Sequence, residues 1–199
     1  MSDKFKNKYT IQSARLQDYD YSQNGMYFVT ICTKDREEFF GSIIGEKMVL
    51  SDVGKIIQDE LLKTPIIRSN VILDEWIIMP NHLHTIIEIR NQPNGVETPC
   101  DNRVETPRRG VSTMPNNKLK HCGYNLKWKP NSLGSIINQF KSVCTKKIWK
   151  SGPITFAWQP RFYDHIIRNE KSLNKIREYI QTNPGGWKRD RNNLGDVFM

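Results

Sequence analysis

The sequence predicts an α+β fold, and three observations carry that prediction. Runs rich in aromatic and β-branched residues, at positions 27–32, 71–78 and 85–89, have the length and composition of strands. Three other stretches place apolar residues at helical spacing, around Val53 to Leu62, Ile136 to Ile148 and Leu173 to Ile180. Between the second and third strand runs lies Pro80-Asn81, a turn pair that joins them directly.

The first 25 residues are polar and turn-rich and lead into Tyr27-Phe28-Val29-Thr30-Ile31-Cys32. A charged stretch follows, in which Lys34 and Arg36 at a strand exit are placed to touch phosphates. Phe39-Phe40-Gly41 and Lys47-Met48-Val49-Leu50 read as short extended chain. Ser51 or Asp52 then caps a helix whose stripe is Val53, Ile56, Ile57, Leu61 and Leu62, with Pro65 expected to end it. After the paired strands the composition changes. From about 91 to 131 the chain is rich in Pro, Gly, Asn and Thr, and Val96-Glu97-Thr98-Pro99 recurs as Val104-Glu105-Thr106-Pro107. A short degenerate repeat of this kind buries little apolar surface, so it reads as a flexible insertion within one domain spanning 1–199.

Order resumes at Ser132, with a helix to about Trp149 that buries Ile136, Ile137, Phe140, Val143, Cys144 and Ile148. Lys141, Lys146, Lys147 and Lys150 lie off that stripe and give it a basic side suited to a phosphate backbone. Residues 156–168 mix aromatic with basic residues, including Arg161 and Arg168, a composition that suits stacking on unpaired bases as well as packing. Asn169 or Ser172 caps the last helix, Pro184-Gly185-Gly186 is expected to stop it at once, and from Trp187 the tail reads as basic and loose.

Charge and chemistry narrow the function. The 199 residues hold 30 Lys+Arg against 21 Asp+Glu, a net charge of +9 that favours an anionic partner such as nucleic acid. Four scattered cysteines without a C-x-x-C pair read as reduced thiols. No apolar run reaches the roughly twenty residues a membrane helix needs, so a soluble cytoplasmic protein is expected. Two of the four histidines, His82 and His84, open the strand after the turn, and alternation puts both imidazoles on one face with Leu83 on the other.

With Asn183 they offer two nitrogens and one oxygen to a divalent ion, Mn²⁺ comfortably and Mg²⁺ when substrate completes its shell. Tyr179 lies four residues before Asn183 on the same helix face, so a phenol able to attack phosphorus stands beside the would-be ligand. Attack by a side chain rather than water keeps the bond energy in a phosphotyrosine, which suits strand transfer. Tyr163, followed by Asp164-His165, is the rival nucleophile.

These pieces together resemble the REP-associated tyrosine transposases, a branch of the single-tyrosine HUH transposases. The resemblance rests on Tyr21-Ser22-Gln23 through Thr33, the block Trp76-Ile77-Ile78-Met79-Pro80-Asn81-His82-Leu83-His84, Leu133-Gly134 to Ser142, residues 158–168, and Tyr179-Ile180-Gln181-Thr182-Asn183-Pro184. It implies a ferredoxin-like HUH nuclease core, an antiparallel sheet with helices packed on it. It also implies His82 and His84 as ligands of Mg²⁺ or Mn²⁺, Asn183 as the third ligand, and Tyr179 as the nucleophile that forms a 5′-phosphotyrosine. The implied partner is single-stranded DNA with hairpins formed by palindromic repeats, in a nucleoid-associated protein that is a monomer or a homodimer. Lys34, Arg36, Lys141, Arg161 and Arg168 are the residues expected to meet that DNA. Two other readings stay open at this point: a domesticated hairpin-binding protein without cleavage, and a metal-dependent RNA-processing protein.

Overall fold

The computed structural model describes residues 16, 18–91, 129, 131–190 and 192–193, together with the backbone of 4–5 and 9–10. Two short strands, β1 (Lys4–Phe5) and β2 (Tyr9–Thr10), pair with each other. They are followed by β3 (Gly25–Cys32), β4 (Gly41–Ile44), β5 (Lys47–Leu50), α1 (Asp52–Ile67), β6 (Val71–Met79) and β7 (His82–Ile89). After the insertion come α2 (Leu133–Ser151), β8 (Tyr163–Ile167) and α3 (Glu170–Thr182). The interior of the expected insertion, residues 92–128, lies outside the described residues.

Four strands form the main sheet in the order β6-β7-β3-β8, every neighbour antiparallel. This is the ferredoxin-like arrangement. Each helix, α1 and α2, connects two parallel strands that have another strand between them, and right-handed crossovers put both on one face. Alternation then divides β3. Tyr27, Val29 and Ile31, all at most 1% exposed, enter the core under α1 and α2 with Ile57, Leu61, Ile136 and Cys144. Phe28, Thr30 and Cys32 face the other way, toward α3.

That second face is covered lightly. α3 sets Ile180 against Ile86 and Ile167 of the sheet, with its Leu173 and Ile176 half-buried beside them. Burying one such side chain is worth about 1.5–3 kcal/mol, so apolar packing alone holds α3 modestly. An ion pair adds a fixed point. β6 carries one extra residue relative to β7 between Leu73 and Trp76, a bulge that frees Asp74 to reach α3. Arg177 Nε and Nη2 clasp its two carboxylate oxygens at 2.7 and 2.5 Å.

Ser51 is the cap of α1, its Oγ accepting from the Gly54 N–H at 3.0 Å, and Asn169 is the cap of α3, accepting from Ser172 N–H at 2.8 Å. The short extended segments form a hairpin, β4 with β5, whose turn residues Gly45 and Glu46 both have positive φ. Pro65 does not end α1. The helix runs on to Ile67, because a proline in the last turn gives up only its own N–H bond, and the Arg68 N–H still closes the turn on Thr64 O.

The Pro-Gly-Gly stretch does stop α3, which ends at Thr182 as expected, but the chain stays folded beyond it. A 3-10 segment, Asn183–Arg189, continues directly from α3, with Pro184 in its first turn. The tail is not loose from Trp187 either: Trp187 is 8% and Asn192 4% exposed, since an indole leaves water when a sheet face is within reach. Residues 194–199 lie outside the described residues.

Candidate active site

Met79 pairs with His82 across a two-residue turn, so β7 begins with the first histidine. His82 stands opposite Cys32 and His84 opposite Thr30, both on the α3 face of the sheet. The turn residue Asn81 is buried completely, and its amide settles the chemistry of His82. Nδ2 donates to the Arg36 and Asn192 carbonyls at 3.0 and 2.8 Å, so Oδ1 must be the acceptor. His82 Nδ1 lies 2.9 Å from that oxygen and therefore carries the ring proton. Nε2 is left with its lone pair.

His84 is held by Thr30, whose hydroxyl Oγ1, able to donate or accept, lies 2.8 Å from Nδ1, and its ring stacks on Phe28 at 5.3 Å. The two Nε2 atoms are 3.0 Å apart in a place that water barely reaches. Lone pairs aimed at each other repel unless a cation or proton lies between them. Two ligands at right angles around an ion, each about 2.1 Å from it, would be about 3.0 Å apart, so the pair fits a divalent ion.

Tyr179 Oη lies 3.3 Å from His84 Nε2, and the Tyr179 ring meets His84 and Phe28 edge-on. The phenol is 44% exposed, open to a substrate on one side and to the imidazoles on the other. Tyr163 is equally exposed, but it pairs with Thr30 on the strand beyond, about 10 Å of backbone from His84. Asn183, one turn after Tyr179, is 5% exposed, and its Oδ1 has no hydrogen-bond partner among the described residues. A buried amide oxygen left bare costs about 1–3 kcal/mol, a cost that a bound ion would remove.

The 3-10 segment supplies what the sequence reading missed. Trp187 lies against the His82 ring at 5.9 Å, and Asp190 returns to the imidazoles. One ligand atom from each of His82, His84 and Asp190 lies within 4.8 Å of the others. A cleft of about 400 Å³ opens beside them, lined by Tyr179, Thr182, Asn183, Gly186, Arg189 and Asp190. Arg189 lines the same cleft as the phenol, a cation that sequence reasoning does not single out. A tryptophan placed after Pro-Gly-Gly was the available signal that this segment folds back.

The five expected DNA-contacting cations do not form one cluster. Lys34 is exposed beside Asp35. Arg36 turns inward, donating to Cys32 Sγ and to Asn192 Oδ1. Lys141 donates to the Gln159 and Arg161 carbonyls at 2.7 and 3.1 Å, which fastens that loop to α2; burial beneath it pulls the ammonium pKa down to about 8. Trp158 packs with Phe40, Phe140 and Phe156 instead of presenting a face to a base. Arg161 is exposed, and Arg168 lines a second cleft with Leu16, Tyr21, Asn169 and Ser172.

No family model matches the chain. An uncharacterized protein of Haemophilus influenzae is 38% identical over 182 residues, covering 90% of this chain and 91% of that protein. Among solved structures, a REP-associated tyrosine transposase bound to a REP hairpin superposes with a TM-score of 0.53 at 18% identity, covering 88% of this chain and 73% of the transposase. The chain belongs to one family with the Haemophilus influenzae protein, and its fold is that of a REP-associated tyrosine transposase.

Proposed function

We propose that the chain is a metal-dependent transposase acting on single-stranded DNA, which cleaves and rejoins strands at repeat-derived hairpins through a covalent 5′-phosphotyrosine on Tyr179. One observation carries the reading: a solvent-open phenol stands 3.3 Å from an imidazole that itself faces a second imidazole at 3.0 Å. The hairpin-bound transposase of the same fold supports the choice of DNA partner.

In this reading Tyr179 Oη attacks the scissile phosphorus, the phosphorus–O3′ bond breaks, and the strand upstream leaves with a free 3′-hydroxyl. The phenolic proton goes to solvent, which the exposure of Tyr179 permits, and the leaving oxygen takes one from solvent. His82, His84 and Asn183 would hold the ion. When bound, a Mg²⁺ or Mn²⁺ ion supplies charge stabilisation at a non-bridging phosphate oxygen and the leaving oxygen. Arg189 in the cleft and the exposed Lys34, Arg161 and Arg168 give the flanking strand its phosphate contacts, and Arg36 and Lys141 hold the loops that present them. The nucleophile and both imidazoles come from one chain, so a monomer contains a complete site.

The test is covalent trapping with single-stranded hairpin DNA carrying a flanking single strand. A protein–DNA adduct that requires Mn²⁺ or Mg²⁺ and disappears in Tyr179→Phe is the expected result. Tight hairpin binding with no adduct at any metal concentration would instead assign a binding protein.

A further inference from the structure

Two neutral imidazoles and an amide oxygen would leave the full charge of a divalent ion uncompensated in a buried place, which is costly. The structure supplies the missing negative charge from the C-terminal segment. We infer that Asp190 is a ligand of the ion, so that the protein binds it with two histidines and a carboxylate, with Asn183 beside them. This inference rests on the proposed metal-dependent reading of the site.

Three observations carry it. Among the described residues, His82, His84 and Asp190 form the one group of three ligand-type side chains within 4.8 Å of one another. The carboxylate is held in place: the Asp190 N–H donates to Trp187 O at 3.0 Å, and Asp190 Oδ1 accepts from the Asn192 N–H at 2.7 Å. Its other oxygen, Oδ2, lies 3.5 Å from Asn183 Nδ2, so the Asn183 amide borders the carboxylate, while its own buried Oδ1 has no hydrogen-bond partner among the described residues.

Neither residue alone makes a site. Together they line one cleft with an anionic and a neutral oxygen donor, and the carboxylate lies within 4.8 Å of the two imidazole nitrogens. Imidazole nitrogens with a single carboxylate suit Mn²⁺ and neighbouring first-row ions better than Mg²⁺, which favours an all-oxygen shell. Metal binding then also ties the 183–193 segment to the β6–β7 hairpin, through Asp190 on one side and the Asn81–Asn192 bond on the other.

Isothermal titration with Mn²⁺ alone, in the absence of DNA, tests this on wild type, Asp190→Asn, His82→Ala and Asp52→Asn. Asp190→Asn is close in shape and keeps an oxygen for the Asn192 N–H. Asp52→Asn removes the same charge from an exposed position on α1. The expected result is one site in wild type, unchanged in Asp52→Asn, weakened at least about tenfold in Asp190→Asn and absent in His82→Ala. The Mn²⁺-induced rise in melting temperature should fall in the same order, while the metal-free melting temperatures of wild type and Asp190→Asn stay close. Wild-type affinity retained within twofold in Asp190→Asn would overturn the inference and leave the metal-dependent reading intact. No Mn²⁺ binding by wild type would overturn both.

Discussion

Replacing Asn81 with alanine withdraws three hydrogen bonds from a residue that solvent does not touch. The Arg36 and Asn192 carbonyls and the His82 Nδ1–H would all lose their partner in one buried spot. At about 1 kcal/mol for each bond, with part of the desolvation cost added, the loss is about 3–5 kcal/mol. For a chain of this size that lowers the melting temperature by roughly 10 °C. Urea and thermal unfolding would read it. Asn81→Asp is the informative partner variant, because it keeps an acceptor for His82 but turns a carboxylate oxygen toward two carbonyls. It should lose at least as much.

The same substitutions reach the site chemically. Without the Asn81 oxygen nothing in the turn fixes the His82 proton on Nδ1, and the Mn²⁺ dissociation constant should rise about 10- to 100-fold. A loss in Asn81→Ala below about 1 kcal/mol, with unchanged Mn²⁺ affinity, would refute the claim that this amide organises the turn and sets the imidazole.

Other consequences are open to measurement. The Asp74 carboxyl is held below its ordinary range chiefly by its hydrogen bonds to Arg177, so the pair stabilises the fold above the unfolded carboxylate pKa of about 3.9 and loses that contribution as pH falls through the lower folded value. Asp74→Asn should therefore unfold about 1–2 kcal/mol more easily at pH 7, and its urea midpoint should converge with that of wild type at the acid end of the titration; an equal gap at every pH would contradict this. Lys141 has its pKa lowered from 10.5 to about 8 by burial, so the unfolded chain binds the extra proton between those values. Wild-type stability relative to Lys141→Met should accordingly rise from pH 8 to 10.5, and a flat difference would show that the two carbonyls fully compensate the burial.

What was legible in the sequence followed from period and spacing. Alternation alone placed His82 and His84 on one face, and four-residue spacing placed Tyr179 with Asn183, since both relations are local to one element. The capping residues and apolar stripes were readable for the same reason. Asp190 was not, because its position depends on a 3-10 segment whose course is set by Trp187 finding His82. Asn81 was legible as a turn residue, but its hold on His82 requires the Arg36 loop and Asn192 to arrive from far along the chain. Lys141 showed itself as a residue off the apolar stripe, and only the packing of the Gln159–Arg161 loop over α2 turned it inward.

The central claim is that Tyr179 attacks phosphorus, and the most direct measurement is the identity of the tyrosine that carries DNA. After reaction with hairpin-bearing single-stranded DNA and Mn²⁺, nuclease trimming and trypsin would leave a nucleotide on a single peptide. The account predicts it on the peptide 178–188, which follows Arg177, ends at Lys188 and contains Tyr179. A nucleotide on the peptide 162–168, which follows Arg161 and contains Tyr163, would contradict it and move the nucleophile to the strand beyond Thr30.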